Sequence, residues 1–242
     1  MSELFAELDY RPTPLGALTL RRRRELTLDV DVYEIKLGDE YLMSSLFTAS
    51  EEALARLAFA DLDGDHFDVV VGGLGLGYTA RAVLEDSKVD SLVVVEYLDA
   101  VVEWHEEGLL PLGPELSGDP RCRFARGDFF ALAAAGNGFV AEHSGRRYDA
   151  ILVDIDHAPD FWLAEQNGAF YREEGLRKVA GVLRPGGIFG LWSNDRPDEA
   201  FVSRLASVFG TARAEPVTFP NPLQNGREAV QTVYLAKTPA DE

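Results

Sequence analysis

Cysteine is almost absent from this chain of 242 residues, and basic residues are scarce relative to acidic ones. The single Cys122 excludes an intrachain disulfide and a metal site made of several cysteines. Lysine and arginine number 23 against 41 aspartate and glutamate residues, which gives a formal net charge of −18. Because such a surface repels a phosphate backbone and attracts cations, we expect no nucleic-acid partner and favour a small cationic substrate.

Two further absences concern location and metals. The sequence contains neither an apolar run of about eighteen residues nor a charged-then-apolar leader, so we expect no membrane association and a cytoplasmic location. Its four histidines lack the spacing of metal ligands, and we therefore expect no metal. A hydrophobic content of 46% is enough for one large domain, with or without a small extension.

The first fifty residues have the pattern of antiparallel strands. Apolar and polar side chains alternate from Leu26 to Tyr33, which predicts a half-buried strand, and Gly38-Asp39 predicts the turn after it. The dense basic run Arg21–Arg24 is predicted to be an exposed hairpin end rather than an anion site. We therefore predict a small β-rich extension over residues 1–49.

From residue 50 onward, alternating helical and strand patterns predict an α/β domain over residues 50–242. The first helix starts at Ser50-Glu51-Glu52, residue types that favour a helix N-terminus. Strands are predicted near Asp68–Val71, Leu92–Val95, Arg123–Ala125, Ala150–Val153 and Ile188–Trp192, with helices near Tyr78–Glu85, Asp99–Glu107, Phe129–Ala135, Ala169–Leu183 and Glu199–Phe209. Such alternation predicts a mostly parallel, seven-stranded sheet with helices on both faces. Ala229–Leu235 follows the turn-rich segment Pro220–Gly226 without a helix, which predicts a terminal antiparallel hairpin.

A glycine loop follows the first strand of this domain. Gly73, Gly75 and Gly77 would let backbone N–H groups approach a ligand that any Cβ would push away. Glu96 closes the next strand, where its carboxylate can accept hydrogen bonds from two ribose hydroxyls. The pattern predicts a ribose-bearing cofactor. Because Gly75–Ala80 also satisfies the dinucleotide form G-x-G-x-x-A, a nicotinamide dehydrogenase is an alternative.

Two more acidic residues follow predicted strands. Asp128 comes after the third strand, and Asp154 ends the fourth. In an open α/β sheet, ligands bind beyond the carboxyl ends of the strands, so the glycine loop, Glu96, Asp128 and Asp154 are predicted to face one crevice.

Taken together, these motifs resemble the class I S-adenosylmethionine-dependent transferases, and more closely the spermidine synthase-like group. The resemblance extends from about residue 26 to residue 237 and includes Leu183-Arg-Pro-Gly-Gly187 and the closing hairpin. It implies a Rossmann-like class I methyltransferase fold and S-adenosylmethionine, or its decarboxylated form, as the cofactor. It also implies a homodimer, since the N-terminal β piece of the group commonly contributes to one.

The resemblance implies roles for the residues at the strand ends. Glu96 would hold the ribose hydroxyls, Asp128 would accept from the adenine amino group, and Phe129 or a neighbour would pack on the adenine ring. Asp154 would stand beside the reacting sulfonium, and it is our candidate for the base or for stabilising an amine as it becomes cationic. A helix or loop cap is the alternative role for Asp154.

The chain departs from the group at the glycine loop. Spermidine synthases resemble one another in Gly-Gly-Gly-Asp-Gly-Gly, where this chain has Gly73-Leu-Gly-Leu-Gly-Tyr78, so Leu76 replaces an aspartate. That aspartate is associated with the ammonium group of decarboxylated S-adenosylmethionine, and leucine cannot accept a hydrogen bond. Ordinary S-adenosylmethionine needs no side chain at position 76. The sequence therefore favours methyl transfer to a small acceptor, with aminopropyl transfer to a polyamine as the alternative.

A second departure lies in the segment that follows Asp154. The group's Asp-x-x-Asp-Pro appears here as Asp154-Ile-Asp-His-Ala-Pro159, with His157 in place of the second aspartate. His157 is a second candidate base because its ordinary pKa of about 6.5 lets it take a proton at neutral pH; a solvated loop residue is the alternative. Asp156 could supply the missing negative charge. Phe161 and Trp162 are predicted to pack in the core, and a non-catalytic scaffold remains a further hypothesis.

Overall fold

The first four strands form a separate antiparallel sheet. The computed structural model describes residues 4–140, 145–224 and 226–240. Neighbouring strands pair in the order in which they occur along the chain. They are β1 (Phe5–Thr13), β2 (Gly16–Glu25), β3 (Val30–Leu37) and β4 (Glu40–Ser44). The predicted turn at Gly38-Asp39 is confirmed, and Gly38 takes a left-handed φ of 58° there.

The strand predicted from Leu26 to Tyr33 is wrong in its first half. Leu26 is 71% exposed in the turn between β2 and β3, and β3 begins only at Val30. Asp29 adopts a left-handed φ of 54°, which aspartate tolerates better than most residues and which breaks the extended backbone. The alternation of apolar and polar residues therefore continues through a turn.

The basic run is not the exposed end of a hairpin. Arg21 and Arg23 lie within β2, and both guanidinium groups bond to Glu34 of β3, at 2.6 and 2.9 Å. Their side chains are only 18% and 24% exposed. The run is thus an internal ion-pair ladder between two strands.

The remaining strands form one seven-stranded sheet, as predicted. In chain order they are β5 (Phe67–Gly72), β6 (Val89–Glu96), β7 (Cys122–Arg126), β8 (Tyr148–Val153), β9 (Leu183–Ser193), β10 (Thr211–Asn221) and β11 (Arg227–Lys237). Their spatial order is β10-β11-β9-β8-β5-β6-β7. The five strands from β9 to β7 are parallel, and β11 pairs antiparallel with both β9 and β10. The terminal hairpin is confirmed.

Helices cover both faces of this sheet, which confirms the predicted fold class. They are α1 (Ala49–Ala60), α2 (Tyr78–Leu84), α3 (Asp99–Glu106), α4 (Gly113–Gly118), α5 (Phe129–Ala135), α6 (Glu173–Val182) and α7 (Glu199–Phe209). The sequence analysis missed α4, whose six residues are too few to show a helical period. No helix in the described parts of the chain is both long and apolar enough to span a membrane.

The buried side chains form one apolar cluster on each face of the sheet. Val69 and Val71 of β5 pack with residues of α1, α2 and α3, whereas Val70 packs with residues of α5, α6 and α7. The N-terminal sheet adds Leu18 and Leu20 to the first cluster, so it packs against the α/β part. A division into residues 1–49 and 50–242 remains a prediction.

The strand order determines where a ligand can bind. The chain continues from β5 to β6 on one side, whereas β8 pairs with the other side of β5. The helices that follow these strands diverge at this point and leave a crevice beyond the carboxyl ends. The glycine loop follows β5, Glu96 is the last residue of β6, and Asp154 follows β8.

Candidate active site

At two positions the glycine loop lies so close to neighbouring atoms that a residue with a side chain would not fit. Gly73 and Gly77 have φ values of 92° and 93°, in the left-handed region. A Cβ at Gly73 would collide with the backbone oxygen of Asp154, and one at Gly77 would lie 2.5 Å from Leu116. The loop therefore packs directly on the segment that follows β8.

Side chains from outside the loop fix two of its backbone groups. The N–H of Leu76 donates to Sδ of Met43 in β4, at 3.1 Å. The Nε2 atom of His105 lies 3.0 Å from the carbonyl oxygen of Gly75. Burial lowers the pKa of His105, so its imidazole is neutral and donates this bond. The sequence analysis assigned no role to either side chain.

Glu96 is fixed at the end of β6 by two backbone N–H groups. Its Oε2 accepts from Leu74 at 2.9 Å, and its Oε1 accepts from Leu98 at 2.8 Å. The side chain is buried, and this burial raises its pKa while the backbone hydrogen bonds lower it. A carboxylate has about four acceptor positions, so Glu96 retains capacity for a ligand's hydroxyl groups.

Two cavities meet at the glycine loop. The larger has a volume of about 640 Å³, and the smaller has about 80 Å³. Gly73 and Glu96 line both, so they stand at the junction. A ligand with two parts could place one in each cavity while its middle contacts Glu96.

Asp128 and Phe129 line the smaller cavity, as the prediction of a common crevice requires. The Oδ1 atom of Asp128 caps α5 by accepting from the N–H groups of Phe130 and Ala131, at 2.9 and 3.1 Å. Phe129 is buried, and its ring stacks on another phenylalanine at 4.8 Å between centroids. Leu15, in the β1–β2 turn, also lines this cavity and was not predicted.

Asp154 lies in the larger cavity at the end of β8. Its Oδ2 accepts a hydrogen bond of 2.7 Å from the Thr79 hydroxyl in the first turn of α2. Burial raises the pKa of Asp154 to about 6, against a lowering effect of that hydroxyl. A carboxyl with this pKa is mostly ionised at neutral pH and can still exchange a proton.

Glu51 is a cavity residue that the sequence analysis missed as a candidate. It lies in the first turn of α1, is only 6% exposed, and lines the larger cavity together with Asp154. Burial and the charge of Asp154 raise the pKa of Glu51 to about 8. From sequence alone an acidic residue there only indicates a favourable helix N-terminus, so no signal distinguished it.

The structure separates Asp156 from the other candidates. Its carboxylate accepts hydrogen bonds of 2.8 to 2.9 Å from the Leu163 N–H, the Asn167 amide and the Tyr171 hydroxyl. It is 2% exposed and lines neither of the two cavities. These bonds tie together the segment from Ile155 to Gly168, which covers the cavities.

His157 and Phe161 do line the larger cavity. Their rings stack with centroids 4.9 Å apart, and His157 Nε2 lies 3.4 Å from the Glu40 carboxylate. Phe161 is 56% exposed, so its predicted place in the core is wrong. Trp162 is partly buried under Gly168 and donates its indole N–H to Pro159. The segment after Asp154 thus presents an aromatic wall to the cavity.

The described residues include no group of three or more histidine, cysteine, aspartate or glutamate side chains placed to hold a metal ion. No family model matches the chain.

Comparison with curated proteins points to one class of enzyme. The chain is 29% identical over 160 residues to polyamine aminopropyltransferase 2 of Pseudomonas aeruginosa, covering 64% of this chain and 43% of that protein. It is 29% identical over 121 residues to polyamine aminopropyltransferase of Pyrobaculum islandicum, covering 50% and 39%. The chain is similar to polyamine aminopropyltransferases. It spans less than half the length of these relatives.

Solved structures show the same fold over nearly the whole chain. A spermidine synthase in complex with the transition-state analogue AdoDATO superposes with a TM-score of 0.74 at 16% identity, covering 97% of this chain and 74% of that one. Spermidine synthase from Thermotoga maritima gives 0.71 at 16% identity, covering 97% and 73%. The resemblance to spermidine synthase-like proteins stated above is confirmed.

The comparisons overturn the preference for methyl transfer. Both curated relatives are named as aminopropyltransferases, and the two structural neighbours are named as spermidine synthases. The preference rested on the missing carboxylate at Leu76, which is 2% exposed. The loop offers no carboxylate at this position, whereas Glu51 brings one into the same cavity from α1.

Proposed function

We propose that the chain is an aminopropyltransferase that uses decarboxylated S-adenosylmethionine and an amine acceptor. The observation that carries the proposal is the charge of the larger cavity, which is lined by five carboxylate side chains and one arginine. This arginine, Arg23, already bonds to Glu34 and Glu25. Such a cavity favours ligands that carry ammonium groups and disfavours the carboxylate of ordinary S-adenosylmethionine.

The residues at the junction of the cavities suit the nucleoside of this donor. The glycine loop lacks the Cβ atoms that would fill the space, and Glu96 retains acceptor positions for ribose hydroxyls. Asp128 and Phe129 would hold the adenine in the smaller cavity. When bound, the donor supplies a carbon activated by a sulfonium, whose sulfur departs as a neutral thioether.

Asp154 is proposed to manage the proton of the acceptor. The acceptor nitrogen must be unprotonated to form the new N–C bond, and it becomes cationic as the C–S bond breaks. Asp154 then takes the proton that the nitrogen loses, or stabilises the cation until solvent takes it. His157 is the second candidate for this role because it lines the same cavity. Asp156, by contrast, would position the covering segment.

A linear di- or polyamine is the proposed acceptor. The larger cavity continues from Asp154 to Glu40, so it offers carboxylates both at its inner end and toward its mouth. Acceptors of this class carry two or more ammonium groups, and the names of the curated relatives agree with it.

The proposal is tested by measuring methylthioadenosine release by liquid chromatography. Purified protein is incubated with decarboxylated S-adenosylmethionine and 1,4-diaminobutane, 1,3-diaminopropane or spermidine, and in parallel with ordinary S-adenosylmethionine. We expect amine-dependent release only with the decarboxylated donor. Asp154→Asn should lower kcat about 100-fold or more, since it removes the proton acceptor. Asp160→Asn is the matched control, because Asp160 is exposed and lines neither cavity.

Absence of turnover with every amine would contradict the proposal, as would equal turnover with both donors. Equal losses in Asp154→Asn and Asp160→Asn would remove Asp154 from its proposed role.

A homodimer is proposed as the assembly. Seven of the ten large hydrophobic residues that are exposed in the described structure lie within the first 41 residues, and they include Phe5, Leu26 and Tyr41. This concentration of apolar surface favours an interface formed by the N-terminal sheet. The cytoplasmic location remains a prediction.

A further inference from the structure

Glu51 and Asp154 approach each other from different elements at the base of the larger cavity. Helix α1 carries Glu51, and Asp154 follows β8. Thr79, at the start of α2, lies between them: its hydroxyl donates to Asp154 and lies 3.4 Å from the backbone oxygen of Glu51. Neither carboxylate takes part in an ion pair within the described residues. Glu51, which is buried, and Asp154, which is partly buried, therefore share one wall of the cavity without a cation from the described residues.

Hydrogen bonds around Ser50 indicate that Glu51 carries a proton when no ligand is bound. The Ser50 hydroxyl accepts from the Trp192 indole N–H at 2.8 Å. It also lies 2.6 Å from Oε1 of Gln231 and 2.8 Å from Oε2 of Glu51. Gln231 is oriented by its own amide N–H, which donates to Asn194 at 3.0 Å.

A hydroxyl has one proton to give and two lone pairs that accept. If Ser50 donates its proton to Gln231, no proton is left between the Ser50 oxygen and Oε2 of Glu51. An ionised Glu51 would then place its negative oxygen against a lone pair of the Ser50 oxygen, which is repulsive. All three contacts are satisfied when Glu51 is protonated and donates to Ser50. Burial and the charge of Asp154 also favour the protonated form, since they raise the pKa of Glu51 to about 8 against the lowering effect of the Ser50 hydrogen bond.

Other charged groups near Glu51 are already paired or lie elsewhere in the cavity. Glu52, its neighbour on α1, bonds to Arg81 at 2.8 Å and to Arg56 at 3.1 Å. The remaining titratable groups that line the cavity are Arg23, Glu34, Glu40, Tyr41, Glu96 and His157. Arg23 is paired with Glu34, and His157 lies near Glu40. An incoming ammonium group is therefore the natural counterion for Glu51 and Asp154.

We propose that Glu51, together with Asp154, binds the primary ammonium group of the donor's aminopropyl chain and replaces the carboxylate that the glycine loop lacks at Leu76. This inference rests on the proposed function. When the ammonium group binds, Glu51 releases its proton to solvent, so one positive charge enters the cavity as another leaves. Asp156 cannot fill this role, because its carboxylate faces Asn167 and Tyr171.

The test compares two unreactive thioethers by calorimetry. S-adenosyl-3-thiopropylamine carries the aminopropyl ammonium, whereas methylthioadenosine has the same nucleoside and no amine. We expect Glu51→Gln to weaken binding of the amine about tenfold or more, and to change binding of methylthioadenosine less than twofold. Glu52→Gln is the matched control, since it makes the same substitution one residue away, at a side chain outside the cavity. It should leave both affinities within twofold.

A second measurement follows the proton. Titrations at pH 7.5 in buffers of different ionisation enthalpy should show that wild-type protein releases most of one proton when the amine binds. Glu51→Gln should release much less, and methylthioadenosine should release little from either protein. A purely structural role for Glu51 would not produce this pattern.

The outcomes separate the two proposals. If wild-type protein binds neither thioether, the proposed function fails. If it binds both, and Glu51→Gln weakens both equally or neither, the role of Glu51 is wrong while the proposed function stands. Thermal unfolding of each variant checks that it is folded.

Discussion

At the scale of single residues, the acidic groups of the site differ in their surroundings rather than in residue type, and the surroundings determine their roles. Glu96 is fixed by backbone N–H groups, Asp156 by a backbone N–H, an amide and a phenol, and Glu51 by one serine. Glu51 and Asp154 share one cavity wall with no ion-pair partner among the described residues, so protonation of Glu51 avoids two adjacent charges.

This arrangement predicts a pH-dependent effect of Glu51→Gln on stability. The folded protein holds a proton on Glu51 up to about pH 8, whereas the ordinary pKa of this group is 4.5. Because the folded state binds more protons than the unfolded state in this window, the contribution of Glu51 to stability falls as the pH rises through it. A glutamine mimics the protonated acid, so we expect the variant to be more stable than wild type by about 4 kcal/mol at pH 8 and by only about 1 kcal/mol at pH 5.

Urea unfolding at the two pH values measures the difference. Glu52→Gln, which breaks ion pairs with Arg81 and Arg56, should not gain stability at pH 8. An equal effect of Glu51→Gln at both pH values would show that Glu51 is ionised in the empty protein.

Sequence reasoning found the site residues that follow strands and missed the one on a distant helix. Glu96, Asp128 and Asp154 could be predicted because parallel strands bring their carboxyl ends to one edge. Glu51 reaches the same cavity only through the packing of α1 on the sheet and on α2. No local pattern encodes that contact, and the prediction of methyl transfer from Leu76 alone is wrong.

At the scale of elements, the segment from Ile155 to Gly168 depends on one buried carboxylate. Asp156 accepts from a backbone N–H, an amide and a phenol, and burial raises its pKa while these hydrogen bonds lower it. Asp156→Asn would place an amide N–H group among donors and leave at least one of them unpaired. We expect a loss of about 1–3 kcal/mol in stability.

The loosened segment should also affect function and proteolysis. We expect a severalfold higher KM for the acceptor, a smaller change in kcat, and faster chymotryptic cleavage after Phe161, Trp162 or Leu163. Asp160→Asn changes an exposed carboxylate of the same segment and should behave as wild type. Unchanged stability and cleavage in Asp156→Asn would mean that the bonds of Asp156 do not hold this segment.

Most helices and strands of the α/β part were predictable because apolar residues recur at different spacings in helices and strands. Each of these elements is long enough to show its spacing. The failures have local causes. Asp29 turns the chain within an alternating pattern, α4 is too short for a helical period, and Phe161 faces a cavity rather than the core. Phe161 is 56% exposed, and an aromatic side chain alone does not distinguish a ring that lines a cavity from one in the core.

At the scale of the whole molecule, the apolar surface near the N-terminus predicts self-association. Phe5 and Leu26 are 56% and 71% exposed on a chain whose net charge is otherwise strongly negative. We expect light scattering after size-exclusion chromatography to give about twice the chain mass of 26.6 kDa at micromolar concentration. Phe5→Ser combined with Leu26→Ser should shift the protein toward the monomer, because it removes apolar area from the interface.

Leu223→Ser is the control, as Leu223 is 52% exposed and lies outside the first 41 residues, where the apolar surface is concentrated. Wild-type protein that remains a monomer across this concentration range would contradict the homodimer.

The sulfur of Met43 makes the contact between the N-terminal sheet and the glycine loop sensitive to oxidation. This thioether accepts the Leu76 N–H, lines the larger cavity, and lies so close to the glycine loop that a Cβ on Gly75 would come within 2.7 Å of it. Conversion to the sulfoxide would place a bulkier, more polar group beside the loop and change the acceptor of the Leu76 N–H. A single oxidised atom would thus disturb the glycine loop, and a methionine sulfoxide reductase would restore the thioether.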